Sequence, residues 1–280
     1  MKHLLITIAA LAFSWHVHSA NAQQVDGKPL RIIALAPHIV ENLYHIGAGD
    51  MIVGTTEHAD FPSDAEKIPR IGNYAKLNIE AILAVQPDLI IAWKSGNPSD
   101  DIARLKQLGI KVVYSQPNSL KDVADELRFF GELAGKKEQA QEKAVAFEQS
   151  LEKIKAKYLN SKRVKAFYEL WSRPLTTVAG NAWPQHMLAV CNVDNPFVNS
   201  ATDYPQINVE DVVLAMPDVI IQPSAHSHTS PDTVNWKQWA EMPAVKNNAF
   251  IHPDADRIHR MTTRSLDELT SLCQQLDNYR

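Results

Sequence analysis

Five aromatic side chains could build a binding surface. Tyr74, Trp93, Trp171, Trp183 and Tyr204 all fall at or beside the ends of expected elements rather than inside them. Ligands of α/β proteins bind beyond the carboxyl ends of the strands, so rings gathered there would wall a cleft with flat apolar faces, suited to a large flat ligand. Each ring taken alone fits core packing equally well. A second chemistry is open to His226 and His228, which stand in the polar stretch Ala225 to Pro231 and could ligate zinc. A zinc site needs three or four converging ligands, and a solvated loop accounts for this pair as well. Signatures of catalysis are missing: there is no G-x-S-x-G elbow, no G-x-x-x-x-G-K phosphate loop and no H-E-x-x-H. The expectation is a binder without metal or cofactor. A formal net charge of −4 gives no electrostatic footprint for nucleic acid.

The elements that must position these rings are written twice. Leu77 to Trp93 reads LNIEAILAVQPDLIIAW, and Ile207 to Pro223 reads INVEDVVLAMPDVIIQP, at a constant offset of 130 residues without a gap. Asn78, Glu80, Pro87, Asp88, Ile90 and Ile91 recur as Asn208, Glu210, Pro217, Asp218, Ile220 and Ile221. In each copy Asn can cap a helix, and an acid follows in its first turn, near the positive end of the helix dipole. Proline then stops the helix, and a short apolar run follows that suits a parallel strand buried on both faces. Two related lobes follow from that register.

Taken in order, the chain begins with a leader: Lys2, an apolar run from Leu4 to Phe13, and the cleavage motif Ala20-Asn21-Ala22. The run is too short to span a bilayer, and no Cys follows the cleavage site to carry a lipid. Loss of residues 1–22 removes Lys2 and leaves 27 basic against 32 acidic residues, a net −5. Residues 23–135 alternate strand and helix: strands at Arg31 to Ala36, Met51 to Thr55, Leu89 to Ala92 and Lys111 to Tyr114, and a helix capped by Ser119 that runs to Ala134. Residues 136–160 contain neither Gly nor Pro from Lys136 to Tyr158, and Ala140, Ala144, Phe147, Leu151, Ile154 and Tyr158 form one apolar stripe. This predicts a single rigid helix about 30 Å long between the lobes. Residues 161–280 form the second lobe: a strand from Val164 to Leu170, a loop Trp171 to Pro174, a helix from Trp183, the second repeat, a strand near Phe250, a loop from His252 to Thr263 and a last helix to Tyr279. In an exported protein the two cysteines, Cys191 and Cys273, read as a disulfide.

This plan, the paired N-x-E units and the A-W-x-x-G-N stretch (Ala92, Trp93, Gly96, Asn97) resemble the periplasmic binding proteins of ATP-driven importers for metal chelates. L-x-P at Leu35 to Pro37, D-F-P at Asp60 to Pro62, Y-P-Q at Tyr204 to Gln206 and the Cys pair extend the resemblance over roughly Leu30 to Leu276, with cobalamin binders the best match. The resemblance implies two Rossmann-like α/β lobes with mostly parallel sheets, joined by one long rigid helix. It implies a periplasmic monomer that carries cobalamin to a two-fold membrane permease and its ATPase subunits. Ligand contacts would fall on His58, Tyr74, Trp93, Tyr204 and the run Asp256, Arg257, Ile258, His259 and Arg260, with Glu80 and Glu210 meeting the permease. Three positions depart from the family pattern: His58 stands where it has Tyr, and Tyr74 and Tyr204 where it has Trp. Haem or ferric siderophore is the alternative ligand on this scaffold, and a zinc enzyme using His226 and His228 the reading from another class.

Overall fold

The computed structural model describes residues 28–224 and 234–280; the expected leader lies outside them. Two four-stranded sheets, parallel throughout, carry the chain. In the first, β1 (Ile32–Ala34) pairs with β2 (Ile52–Thr55) on one side and β3 (Leu89–Trp93) on the other, and β3 pairs with β4 (Val112–Ser115). In the second, β5 (Val164–Tyr168) lies between β8 (Val193–Asp194) and β9 (Val219–Ile221), and β9 pairs with β10 (Phe250–Ile251). The orders β2-β1-β3-β4 and β8-β5-β9-β10 are the same topology written twice. The strands of the repeated stretch, β3 and β9, occupy the same slot, each preceded by its short helix, α2 (Ile79–Ala84) and α7 (Val209–Ala215). Cap chemistry matches too: Asn78 Oδ1 accepts from the Ala81 N–H at 3.0 Å, and Asn208 forms a capping box with Asp211. Even the turn is shared, since Gln86 and Met216 both take positive φ, 45° and 48°.

Helices close both faces of each sheet. In the first lobe these are α1 (Pro37–His45), α2, α3 (Ser99–Gln107) and α4 (Leu120–Ala134), the last capped by a Ser119–Asp122 box and ended by left-handed Gly135. The second lobe adds α6 (Trp183–Val190), α8 (Pro243–Lys246), α9 (Ala255–His259) and α10 (Ser265–Leu276). Between the lobes runs α5 (Lys137–Tyr158), 22 residues and about 33 Å long. Its predicted stripe is the buried face, with Ala140, Ala144, Phe147, Leu151 and Tyr158 all under 4 % exposed and Ile154 packed at the edge. α5 lies against α4, α6 and α10. Gly131 permits the α4 approach, because a Cβ there would overlap that of Ala140. One apolar core therefore runs from Ile32 and Ile91 of the first sheet through α5 to Ala166 and Leu272 of the second lobe. This continuity ties the lobes together more firmly than a tether would.

Two elements differ from the sequence reading. Trp171 to Pro174 is not a plain loop: β6 (Trp171–Ser172) and β7 (Leu175–Thr176) form an antiparallel hairpin. Residues 252–263 contain α9, whose N-cap Asp254 accepts from the Asp256 and Arg257 N–H groups. The expected disulfide joins Cys191, at the C-terminus of α6, to Cys273 in α10, with 5.0 Å between Cα atoms. Closing a span of 82 residues, it restricts the unfolded chain by at most about 4–5 kcal/mol.

Candidate ligand-binding cleft

The carboxyl ends of both sheets open on one cleft of about 500 Å³ between the lobes. Trp93 and Gln116 line it from the first lobe, and Trp171, Trp183, Tyr204 and His259 from the second. Each aromatic is placed by a strand end or a short anchored element. Trp93 is the last residue of β3. Its N–H donates to Asn97 Oδ1 at 2.6 Å, while Asn97 Nδ2 donates to the Leu35 carbonyl at 2.8 Å, which ties the loop to β1. Gly96 lies against the indole, where any Cβ would overlap the ring. The A-W-x-x-G-N stretch is thus a device for seating one tryptophan.

Across the cleft, Trp183 is almost buried and donates from Nε1 to the Ile258 carbonyl at 2.9 Å. Trp171 projects from the hairpin at 65 % exposure. The hairpin is braced by buried Glu169, which accepts from Ser172 Oγ at 2.6 Å, from Gln222 at 2.8 Å and from Trp236 Nε1 at 2.6 Å. His259 Nε2 lies 2.8 Å from the Tyr168 hydroxyl. Burial drives His259 down to about 4 and the Tyr168 phenol up, so both are neutral at physiological pH. The remaining polar lining is mostly uncharged, with Ser95, Gln116, Asn118 and Asn181; Asp203 is the carboxylate, and its Oδ1 accepts from the Asn181 N–H. Gln116 Oε1 is buried at this wall with no hydrogen-bond partner.

Of the residues expected at the site, the structure brings Trp93, Tyr204 and His259 into the cleft lining. Tyr74 is 77 % exposed on a loop outside it. His58 sits on the 57–62 loop with φ 68° and accepts from Arg260 through its carbonyl. Ile258 is fully buried in the core, and Arg257 faces a separate depression with Asp254 and Glu268. Helical spacing in α9 sends neighbouring side chains different ways, so the run does not present one face. Arg260 reaches across the lobes instead, to Glu41 at 2.8 Å and Asp60 at 2.6 Å, while also holding Asp256 at 2.8 Å. Further ties join the lobes: Asn42 Nδ2 donates to the Met261 carbonyl at 3.1 Å, and the Arg264 guanidinium stacks on Phe61 and stands 3.2 Å from Glu41 Oε2. His226 and His228 lie outside the described residues, among which no three His, Cys, Asp or Glu side chains are grouped to hold a metal.

A buried polar chain runs under the first-lobe wall. Glu126 of α4 faces the Ser115 hydroxyl, the Gln116 N–H and the Asn42 amide, yet burial raises its carboxyl to about 7. Glu126 Oε2 and Asn42 Oδ1 are both buried without partners. A proton on the carboxyl removes the cost of burying a charge there. The folded state therefore holds this proton more tightly than the unfolded chain, and stability falls as pH rises from about 4.5 to about 7. The drop is on the order of a few kcal/mol. Glu126→Gln, whose amide is uncharged at every pH, is expected to abolish that part of the loss. Urea unfolding at pH 5 and pH 8 checks it: the variant should gain over the parent at pH 8 and not at pH 5, and equal pH dependence in both would refute the assignment.

A family model described as periplasmic binding protein matches residues 32–256. The chain belongs to that family. It is 35 % identical over 249 residues to the vitamin B12-binding protein of Vibrio parahaemolyticus, covering 89 % of this chain and 90 % of that one. It is 30 % identical over 246 residues to the protein of the same name from Yersinia pestis, covering 88 % and 86 %. Among solved structures, the periplasmic vitamin B12 binding protein BtuF of Vibrio cholerae superposes with a TM-score of 0.81 at 35 % identity, covering 89 % of this chain and 97 % of that one. The periplasmic heme-binding protein RhuT of Roseiflexus superposes at 0.79 with 21 % identity, over 90 % and 99 %, which speaks for the fold alone. As a family member the chain is a binding protein rather than an enzyme. Among its described residues no helix is long and apolar enough to cross a membrane.

Proposed function

We propose that this protein captures cobalamin in the inter-lobe cleft and delivers it, in the periplasm, to a two-fold permease with its ATPase subunits. The observation that carries the reading is the lining: aromatic faces from both lobes, with neutral amide and hydroxyl groups at the rim and one carboxylate. A corrin ring offers flat apolar faces, and its rim amides are neutral groups that need donors and acceptors together. Gln116 Oε1, buried and unpartnered, is an acceptor in waiting for one such amide. Trp93, Tyr204 and His259 are the expected ligand contacts nearest to hand, with His58, Tyr74, Asp256 and Arg260 assigned to the outer edge. An anionic ferric siderophore would call for a basic cleft, and among the described residues the lining has no lysine or arginine. The relatives at 30–36 % identity are named for vitamin B12, while the heme-binding neighbours stand at 16–21 %.

Calorimetric titration tests the reading. Cyanocobalamin should bind one to one and quench tryptophan fluorescence. Trp93→Ala should lose affinity tenfold or more, about 1.4 kcal/mol. Tight binding of haem or a ferric siderophore, with no binding of any cobalamin at micromolar concentration, would overturn it.

A further inference from the structure

His38 is the second residue of α1, and α1 starts directly behind β1, under the cleft floor. The imidazole is 3 % exposed, too deep to serve as an open ligand contact. It touches two residues that face each other in the sheet. Trp93 ends β3, Ser115 ends β4, and the two are register partners in the last rung of that pairing. His38 Nε2 lies 2.8 Å from Ser115 Oγ. The same ring meets the Trp93 indole edge to face, with centroids 5.4 Å apart and planes at 82°. A single side chain on a helix thus grips both halves of the final rung at the point where the sheet opens on the cleft.

The indole is otherwise restrained on different sides. Gly96 closes one approach to the ring, and Asn97 holds the Trp93 backbone N–H. Gly96 bounds the swing of the ring from its own side, and Asn97 acts on the backbone alone. The edge-to-face contact adds a restraint on the ring plane, since it is satisfied at one mutual ring orientation and lost when the indole swings. Desolvation, reinforced by the nearby Arg260 charge, keeps the imidazole neutral, with its pKa lowered to about 3. It can therefore pair with the Ser115 hydroxyl in either tautomer without placing a cation beside the indole.

We propose that His38 is a positioning residue that sets the plane of the Trp93 indole in the cleft wall. The inference deepens the proposed function, on which its ligand-binding arm rests. It acts through Trp93, so its effect on binding must vanish when Trp93 is absent.

A double-mutant cycle reads that dependence. His38→Ala should weaken cyanocobalamin binding by about fivefold or more when Trp93 is present, and by less than about twofold in the Trp93→Ala background. His38→Phe, which restores a ring edge but cannot bond Ser115, should recover most of the affinity. Near-UV circular dichroism supplies a readout without ligand. The difference between each protein and its Trp93→Phe counterpart isolates the Trp93 band. That band should shrink in His38→Ala and persist in His38→Phe. If the alanine variant does not fold, His38→Leu fills the volume without a ring and should lose the band in the same way. A band unchanged by Ala and Leu, or an equal affinity cost with and without Trp93, would overturn the assignment. If the parent binds no cobalamin, the functional reading fails and the dichroism comparison still decides the role of His38.

Discussion

Replacing Glu80 and Glu210 together by lysine is expected to abolish cobalamin uptake while leaving cobalamin affinity intact. Each acid is the second residue of its helix, α2 or α7, behind a capping Asn. Each helix returns through a short turn into its strand, so it runs antiparallel to β3 or β9. Its N-terminus consequently stands at the carboxyl edge of the sheet, the edge on which the cleft opens. The shared topology puts one acid at the matching position on each lobe. Both are exposed, and neither is in an ion pair among the described residues. Two matched carboxylates on two related lobes suit a partner with matched basic groups on two related halves. As first-turn acids they contribute only about 0.3–1 kcal/mol each to their helices. The double variant should therefore fold and bind. Uptake of labelled cyanocobalamin by cells carrying only the variant measures the loss, and calorimetry on the purified variant checks affinity. Normal uptake would remove the docking role.

The repeat was the most legible feature because it is local and written twice. Asn caps, acid first turns, Pro stops and buried strands depend on neighbours within about 17 residues, and they place β3 and β9 in matching slots. The stripe of α5 was readable for the same reason. The β6–β7 hairpin was not, since two-residue strands carry no alternation and Ser172-Arg173-Pro174 reads as a turn. α9 left a faint signal, an Asp at 254 ahead of Ala-Asp-Arg, that a cap search would have found. At the cleft, Trp93 and Tyr204 announced themselves as rings at element ends. His38 did not, because its relation to Trp93 is made by β1, β3 and β4 lying side by side, 55 positions apart in sequence. Arg260 was harder still: its partners Glu41 and Asp60 are 219 and 200 residues away. A charge in a loop carries no mark of what it will pair with.

The same pairing carries stability. Arg260→Met is expected to destabilise the protein by about 3–5 kcal/mol at pH 8. The side chain is 11 % exposed, and Glu41 beneath it is 4 % exposed. Burial already raises the Glu41 carboxyl, in spite of Arg260 and Arg264. Arg264 Nη1 stands 3.2 Å from Glu41 Oε2 but without hydrogen-bond geometry, so Arg260 is the better-formed of its two cation contacts. Removing Arg260 strands a buried carboxylate, which must then either stay charged at high cost or take up a proton. Burial also pushes Asp60 up, but its hydrogen bond and charge contact with Arg260 win, and the carboxyl ends below its usual value. In the parent, Asp60 contributes stability above its unfolded pKa and loses it as pH falls; the variant lacks that contribution. Glu41 works in the opposite sense: the higher its folded pKa, the more stability is lost as pH rises through the window between unfolded and folded values. The Asp60 contribution is present in full at both pH 5 and pH 8, which lie above its window, so the raised Glu41 carboxyl alone makes the variant's deficit larger at pH 8 than at pH 5. Urea unfolding at the two pH values measures it, and adding Glu41→Gln to Arg260→Met should restore most of the loss at pH 8. A deficit that is the same at both pH values, or that Glu41→Gln leaves unchanged, would mean that Arg260 holds the lobes by packing rather than by charge.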